Sequence, residues 1–411
     1  MDDQQTVSTP QQRRIAFILL LTGAGVVGMG QTIIFAVLPP IARSIGLHDF
    51  QVLSIFMLSA VFWVTIGPLW GRRSDAVGRR PFILTGLIGF ALSLTLFAGV
   101  IDLGMRGALS GVALYGLLLL TRSIYGILGS ATPSSAQAYI ADRTPPEART
   151  RGMAAFSASF GFGAMIGPSF AGALAVIGPL APLYAAALVA AAIAALIYFY
   201  LNEKTPPKEK KAPPKLSPLD ARIRGFLIYA FATSSAVAIA TQFASFFVID
   251  RLGASAETAL QTAGVALSSQ AAASLFAQLA IVQRFNIAPL TLMRVGPAIV
   301  AAGHCVIALS TDLGPLVFGM LLSGLGSGLA QPAFVSGASL AVSKQEQGAV
   351  AGLSNSAAAA SFIAAPIFGW LIYSQDPRLL FGFTAALSAA SGAFALAYRG
   401  FRAASHADPA A

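Results

Sequence analysis

Charge is what this sequence lacks most. Of its 411 residues only 10% are Asp, Glu, Lys or Arg, while 56% are hydrophobic and the mean hydropathy is +0.74. A soluble domain carries about 25% charged residues. A chain so poor in charge cannot cover its surface in water, so lipid must be its main solvent. Cysteine is almost absent. Cys305 stands alone in an apolar run, which excludes an internal disulfide and any cluster of thiolate metal ligands. The three histidines, His48, His304 and His406, lie far apart, and no His/Glu group has metal-ligand spacing. No G-x-x-x-x-G-K-[ST] loop occurs, so pumping driven by ATP has no motif to rest on. No Ser/His/Asp set, paired acids or cofactor fingerprint points to an enzyme. The 16 acidic residues fall in loops, tails or the ends of apolar runs.

Basic residues are present in excess, for a net charge of +10. They sit in short gaps between apolar runs and form no stripe on a soluble surface, which argues against nucleic acid as a partner. The apolar runs themselves are twelve, near 15–45, 51–71, 81–101, 109–141, 151–176, 181–201, 222–250, 258–283, 290–310, 314–343, 349–373 and 379–399. A membrane-spanning helix needs about 20 apolar residues. The first run follows Arg13-Arg14, starts at Ile15 and continues to Leu38, too long for a cleaved signal peptide.

Lys and Arg fix the expected orientation. With a cytoplasmic N-terminus, 21 of the 26 basic residues face the cytoplasm, 4 (Arg43, Arg106, Arg251 and Arg378) face outward, and Arg122 stays inside the membrane. Both termini are then cytoplasmic. The one long polar insert, 202–220, contains Lys204-Thr-Pro-Pro-Lys208-Glu-Lys-Lys211-Ala-Pro-Pro-Lys215. It is too polar and too Pro-rich to pack, and reads as an extended linker. It separates six spans in 1–201 from six in 221–411. A shift of 198 residues aligns Gly126 with Gly324, Pro168 with Pro366 and Phe170 with Phe368, as two related halves would. The expected fold is an all-α membrane protein of twelve transmembrane helices in two pseudo-symmetric six-helix bundles.

Three motifs stand out. Between the second and third runs, Gly71-Arg-Arg-Ser-Asp75-Ala-Val-Gly78-Arg79-Arg80 puts four arginines in ten residues. Its glycines permit a tight reversal, and Asp75 can cap the next helix or pair with an arginine. In the fourth run, Arg122-Ser-Ile-Tyr125-Gly126 places a charge deep in the membrane, where it needs a polar cavity or a partner. A structural arginine bonded to backbone carbonyls or to Gln31 satisfies the same residues. In the fifth, Gly163-x-x-x-Gly167-Pro168-x-x-Ala171-Gly172 allows close helix contact and a kink, which plain packing also explains.

Together these motifs resemble the major facilitator superfamily, and within it the twelve-span drug:proton antiporters that include the tetracycline-efflux group. The resemblance covers most of the chain. It implies a gate in the first motif (Gly71, Asp75, Gly78, Arg79, Arg80), with Asp75 held by the dipole of a helix in the other half and by an arginine. It associates Arg122, with Gln31 and Tyr125 nearby, with proton coupling or cavity shaping. It links the third motif (Gly163, Gly167, Pro168, Gly172) to export, although Ala171 replaces a usual glycine. Tyr139-Ile-Ala-Asp142 and Gln345-Glu346-Gln347-Gly348 are supporting matches. A cavity lined by spans one, four, seven and ten has Gln31, Thr32, Gln242, Gln331 and Asn355 as polar candidates and Phe35, Tyr125, Phe243, Phe246 and Phe334 as aromatic ones. The expected function is export of small amphipathic, drug-like molecules in exchange for protons by alternating access. The expected setting is a monomer in a bacterial inner membrane, with no cofactor and no metal. One departure matters. Many antiporters of this group carry a buried carboxylate, and here Gln31 occupies the first-span site with no acid beside it. That departure keeps a second reading open, a facilitator or importer of a metabolite or siderophore-like compound on the same fold. His304 could titrate near neutrality or be a bystander.

Overall fold

The computed structural model describes residues 10–143, 146–201, 216–285, 287–343, 346–398 and 400–401. Most of the 202–220 linker lies outside them, as do Lys344 and Gln345. The helices in order are α1 (Pro10–Ser44), α2 (Asp49–Val77), α3 (Arg80–Met105), α4 (Gly111–Ile124), α5 (Ala131–Arg143), α6 (Pro146–Leu174), α7 (Ala181–Tyr200), α8 (Arg224–Asp250), α9 (Ala256–Phe276), α10 (Pro289–Leu309), α11 (Leu313–Leu340), α12 (Gln347–Tyr373) and α13 (Pro377–Ala397). Two π-helical segments, Tyr125–Gly129 and Ala277–Val282, continue α4 into α5 and extend α9. No strand occurs among the described residues. Lipid offers no hydrogen bonds to a bare backbone, so each span must satisfy its own N–H and C=O groups as a helix. Among the described residues eleven helical spans are long and apolar enough to cross a membrane, and Ala158–Leu174 of α6 is a shorter apolar stretch. The chain is a multi-pass membrane protein.

The helices overrun the apolar runs. α2 continues past Gly71 through both arginines and Asp75 to Val77. Charge does not end a helix, and arginine is a good helix former. The reversal comes only at Gly78, whose φ of 123° a side chain would resist. Asp75 therefore sits in the last turn of α2. It does not cap α3, whose N-cap is Arg79 with no side-chain cap bond.

The described residues form two compact units. The first comprises residues to Ile34, Phe62–Gly167 and Ile177 onward to the linker, and the second Phe35–Val61, Pro168–Val176 and the chain after the linker. In the first unit α3 packs on α4 and α7. Ser93 Oγ donates to the Thr121 carbonyl at 2.7 Å and Thr132 Oγ1 to that of Ile83 at 3.1 Å, so the few polar side chains close on backbone acceptors. In the second unit α10 packs on α11 and α13. Its core gathers Phe226, Tyr229, Phe334 and Phe401, with the Tyr229 hydroxyl donating to the Met293 carbonyl at 2.7 Å.

Candidate functional site

The predicted charge in the membrane is where the first unit holds its polar centre. Arg122 is 4% exposed, and its guanidinium lies 4.1 Å from the Tyr125 ring centroid. A cation over an aromatic face gains about 2 kcal/mol when desolvated. The Tyr125 hydroxyl donates to Gln31 Oε1 at 3.3 Å, which joins α1 to the fourth span. Trp63 and Phe90 flank the same ring at 5.0 and 5.4 Å. Arg122, Tyr125 and Gln31, read from sequence as one group, are thus brought together.

A feature the sequence did not reveal sets their geometry. The helix widens into a π turn at Tyr125. Such turns leave carbonyls poorly matched and recur at functional sites. Here Trp70 Nε1 donates to the Ile127 carbonyl at 2.6 Å and Ser130 Oγ to the same oxygen at 3.0 Å. Gly129 gives the ring room, since a Cβ there would stand 2.7 Å from Tyr125 Cδ2.

At the arginine-rich end, Arg79 is buried and pairs with Asp75. It also donates to Ser74 Oγ at 2.7 Å and approaches the Gly71 carbonyl at 3.4 Å, so it staples the end of α2 to the start of α3. Arg80 donates to the Tyr198 carbonyl on α7 and stacks on that residue's ring at 5.2 Å.

The third motif divides by packing partner along α6. Gly163 and Gly167 pack on α1, where a Cβ would lie 1.8 Å from the Gly25 carbonyl and 2.1 Å from Thr32 Oγ1 respectively. Thr32 Oγ1 donates to the Ala164 carbonyl at 3.0 Å across the same seam. Beyond Pro168, Ser169 bonds Ser268 of α9 at 2.7 Å, and a Cβ on Gly264 would lie 2.9 Å from the Pro168 carbonyl.

In the second unit, Phe35 stands between Phe56 and Phe362, at 4.9 and 6.3 Å. Gln242, Phe243 and Phe246 are fully buried, and neither amide atom of Gln242 has a hydrogen-bond partner among the described residues. Gln331 is exposed, Phe334 packs at 6.2 Å on Tyr229, and the Asn355 side chain lies outside the described residues. His304 is fully buried. It bonds Ser323 Oγ at 3.0 Å, and Gln270 and Thr241 continue the chain at 3.2 Å each.

One cluster was not singled out from sequence. Arg43, at the end of α1, donates from Nε to Asp49 at 2.8 Å and from Nη2 to Asp250 at 2.8 Å. The Tyr373 hydroxyl donates to Asp250 at 2.7 Å, and the guanidinium lies 5.4 Å from the Phe246 ring. Nearby, Ser245 Oγ donates to the Phe35 carbonyl at 2.7 Å. α1 and α2 are so tied to α8 and α12. The signal was available: Arg43, Asp49 and Asp250 all end spans on the same side by topology.

A further exposed pair joins the residues before α8 to the start of α12. Arg222 donates to Glu346 at 3.0 and 3.1 Å and holds its carboxyl down at about 2, with Ser343 assisting. A carboxyl depressed on folding stabilises above its unfolded value near 4.3. That contribution is lost as pH falls through the folded value. Arg222→Gln is therefore expected to lower the melting temperature by the same small amount at pH 7 and pH 5. The difference should vanish as pH falls from about 4.3 toward 2, read by thermal unfolding of detergent-purified protein.

A helical chain that crosses the membrane many times and keeps a guanidinium in its interior belongs to the class of multi-pass membrane proteins. The sequence profile of the Major Facilitator Superfamily matches residues 20–366, so the chain belongs to that superfamily. The tetracycline resistance protein, class G, of Vibrio anguillarum is 30% identical over 411 aligned residues, 93% of this chain and 92% of that protein. The multidrug resistance protein MdtG of Proteus mirabilis (strain HI4320) is 28% identical over 197 residues, 46% of this chain and 45% of that protein. Among solved structures, the human organic anion transporter MFSD10 (TETRAN) matches at TM-score 0.67 and 20% identity, covering 94% of this chain and all, 100%, of that one. That likeness is one of fold.

Proposed function

We propose that the protein exports small amphipathic, drug-like molecules, of which tetracyclines are the first to test, in exchange for protons. Relatives named for tetracycline and multidrug resistance support the substrate class. The observation that carries the reading is Arg122, buried on Tyr125 and linked through it to Gln31 at a π-helical turn. A cation there favours neutral, zwitterionic or anionic molecules over strong cations. The moving bodies are the sequence halves 1–201 and 221–411, joined by linker 202–220. The protein works as a monomer in a bacterial inner membrane with both termini cytoplasmic. Arg43 with Asp250 latches the outer end, and Asp75 with Arg79 holds the gate motif between α2 and α3 in shape.

The test is transport in proteoliposomes with an imposed pH gradient and a panel of compounds. Uphill, gradient-dependent movement of a tetracycline is expected. Arg122→Ala abolishes it and Arg122→Lys retains a part, because lysine keeps the charge without the planar stacking. Full activity in Arg122→Ala refutes the role given to the arginine. Equilibration that ignores the pH gradient refutes exchange and favours a facilitator, the reading that the missing span-one carboxylate also suits.

A further inference from the structure

The lipid-facing side of the first unit carries a groove of about 700 Å³ between α3 and α7. On α3 it follows Leu84, Ile88, Leu92 and Thr95, one helical stripe. On α7 its floor is alanine (Ala187, Ala191, Ala194), whose short side chains leave the volume unfilled. Its rims are large and exposed, with Leu188 at 72% and Phe199 at 74%. The stripe from Leu84 to Thr95 is about 16 Å long. A hydrocarbon core is about 30 Å thick, so the groove has the depth of one leaflet.

Its polar end is what makes it more than a dent in an apolar wall. Arg80 lies one turn before Leu84 on the same stripe, and its guanidinium stacks at 5.2 Å on Tyr198, itself a lining residue. The groove therefore joins an acyl-sized apolar channel to the Arg80 guanidinium at its end. We infer that it holds an anionic phospholipid, one acyl chain against the alanine floor and the phosphate at Arg80. This gives Arg80 a ligand of its own, apart from the gate motif in which it sits.

Native mass spectrometry of the full-length protein in detergent tests this, with dioleoyl phosphatidylglycerol and dioleoyl phosphatidylethanolamine offered at equal concentration. The two share acyl chains and differ in net charge. Retention of phosphatidylglycerol is expected to exceed that of phosphatidylethanolamine roughly fivefold, the ratio that about 1 kcal/mol per basic residue implies. Arg80→Gln should bring phosphatidylglycerol down to the phosphatidylethanolamine level. Ala191→Phe should lower both, since Ala191 is exposed on the groove floor and the ring fills the channel without entering the α3–α7 contact. Ala195→Leu repeats that test at a second floor position in case the first variant misfolds. Inorganic phosphate should not compete. Equal retention of the two lipids by the unaltered protein, full retention in both floor variants, or displacement by free phosphate overturns the assignment. Displacement by a tetracycline also overturns it and makes the groove a substrate site.

Discussion

Gly163→Ala is expected to destabilise the protein by about 1–3 kcal/mol, the cost of overpacking a closed contact. Gly163→Leu should keep the chain from accumulating in the membrane at all. The added Cβ would stand 1.8 Å from the Gly25 carbonyl, 2.5 Å from its carbon and 2.7 Å from its Cα. All three are backbone atoms of α1, which no side-chain rotation can move aside. The control lies two residues away. A Cβ at Gly161 meets nothing within 4 Å, so Gly161→Ala should be neutral or slightly stabilising. Melting temperatures of the two purified variants decide the matter. Equal values would show that α1 and α6 do not touch through Gly163 as described. The contact matters for function because the same seam carries Thr32 and ends next to Gln31, the partner of Tyr125.

Asp250→Asn is expected to open the Arg43 end of the molecule. The substitution keeps the shape of the side chain and removes the charge that Arg43 and Tyr373 both address. Hydrogen bonds to charged groups contribute about 1.5–3 kcal/mol each. A net loss of about 2 kcal/mol would shift a closed-to-open equilibrium some thirtyfold. Ser245, fully buried and bonded to the Phe35 carbonyl, reports the change. In a background with the exposed native thiol removed by Cys305→Ser, Ser245→Cys should resist a membrane-impermeant maleimide and become reactive once Asp250→Asn is added. Tyr373→Phe should have a smaller effect, because Arg43 and Asp49 remain paired with their partners. Protection unchanged by Asp250→Asn would remove the latch role from this cluster.

These two predictions draw on different layers of information. The glycines of the third motif were visible in sequence, and so was their use for close helix contact. Their partners were not. Gly163 and Gly167 meet α1, whereas Pro168 and Ser169 meet α9, and spacing alone cannot say which helix a small-residue face will find. The Arg43 cluster shows the opposite pattern. Each residue was placed at a span end, yet Arg43 and Asp250 are 207 positions apart, and nothing local pairs them. The aromatic candidates divide in the same way. Composition put Phe243, Phe246 and Phe334 in membrane helices, and only packing made all three buried.

The sequence by itself determined that the chain lives in lipid, that its apolar runs are helical and cross many times, and that Arg122 falls inside one of them. These follow from composition and from the rule that a backbone in hydrocarbon must bond to itself. Tertiary structure decided the rest. It ran α2 through the basic stretch to Gly78, widened the helix at Tyr125 and set the Arg122 guanidinium on that ring. It also drew Arg43, Asp49, Asp250 and Tyr373 to one point. The reason is physical. Hydropathy acts on each segment alone, whereas ion pairs, ring stacking and glycine seams depend on which helix faces come together.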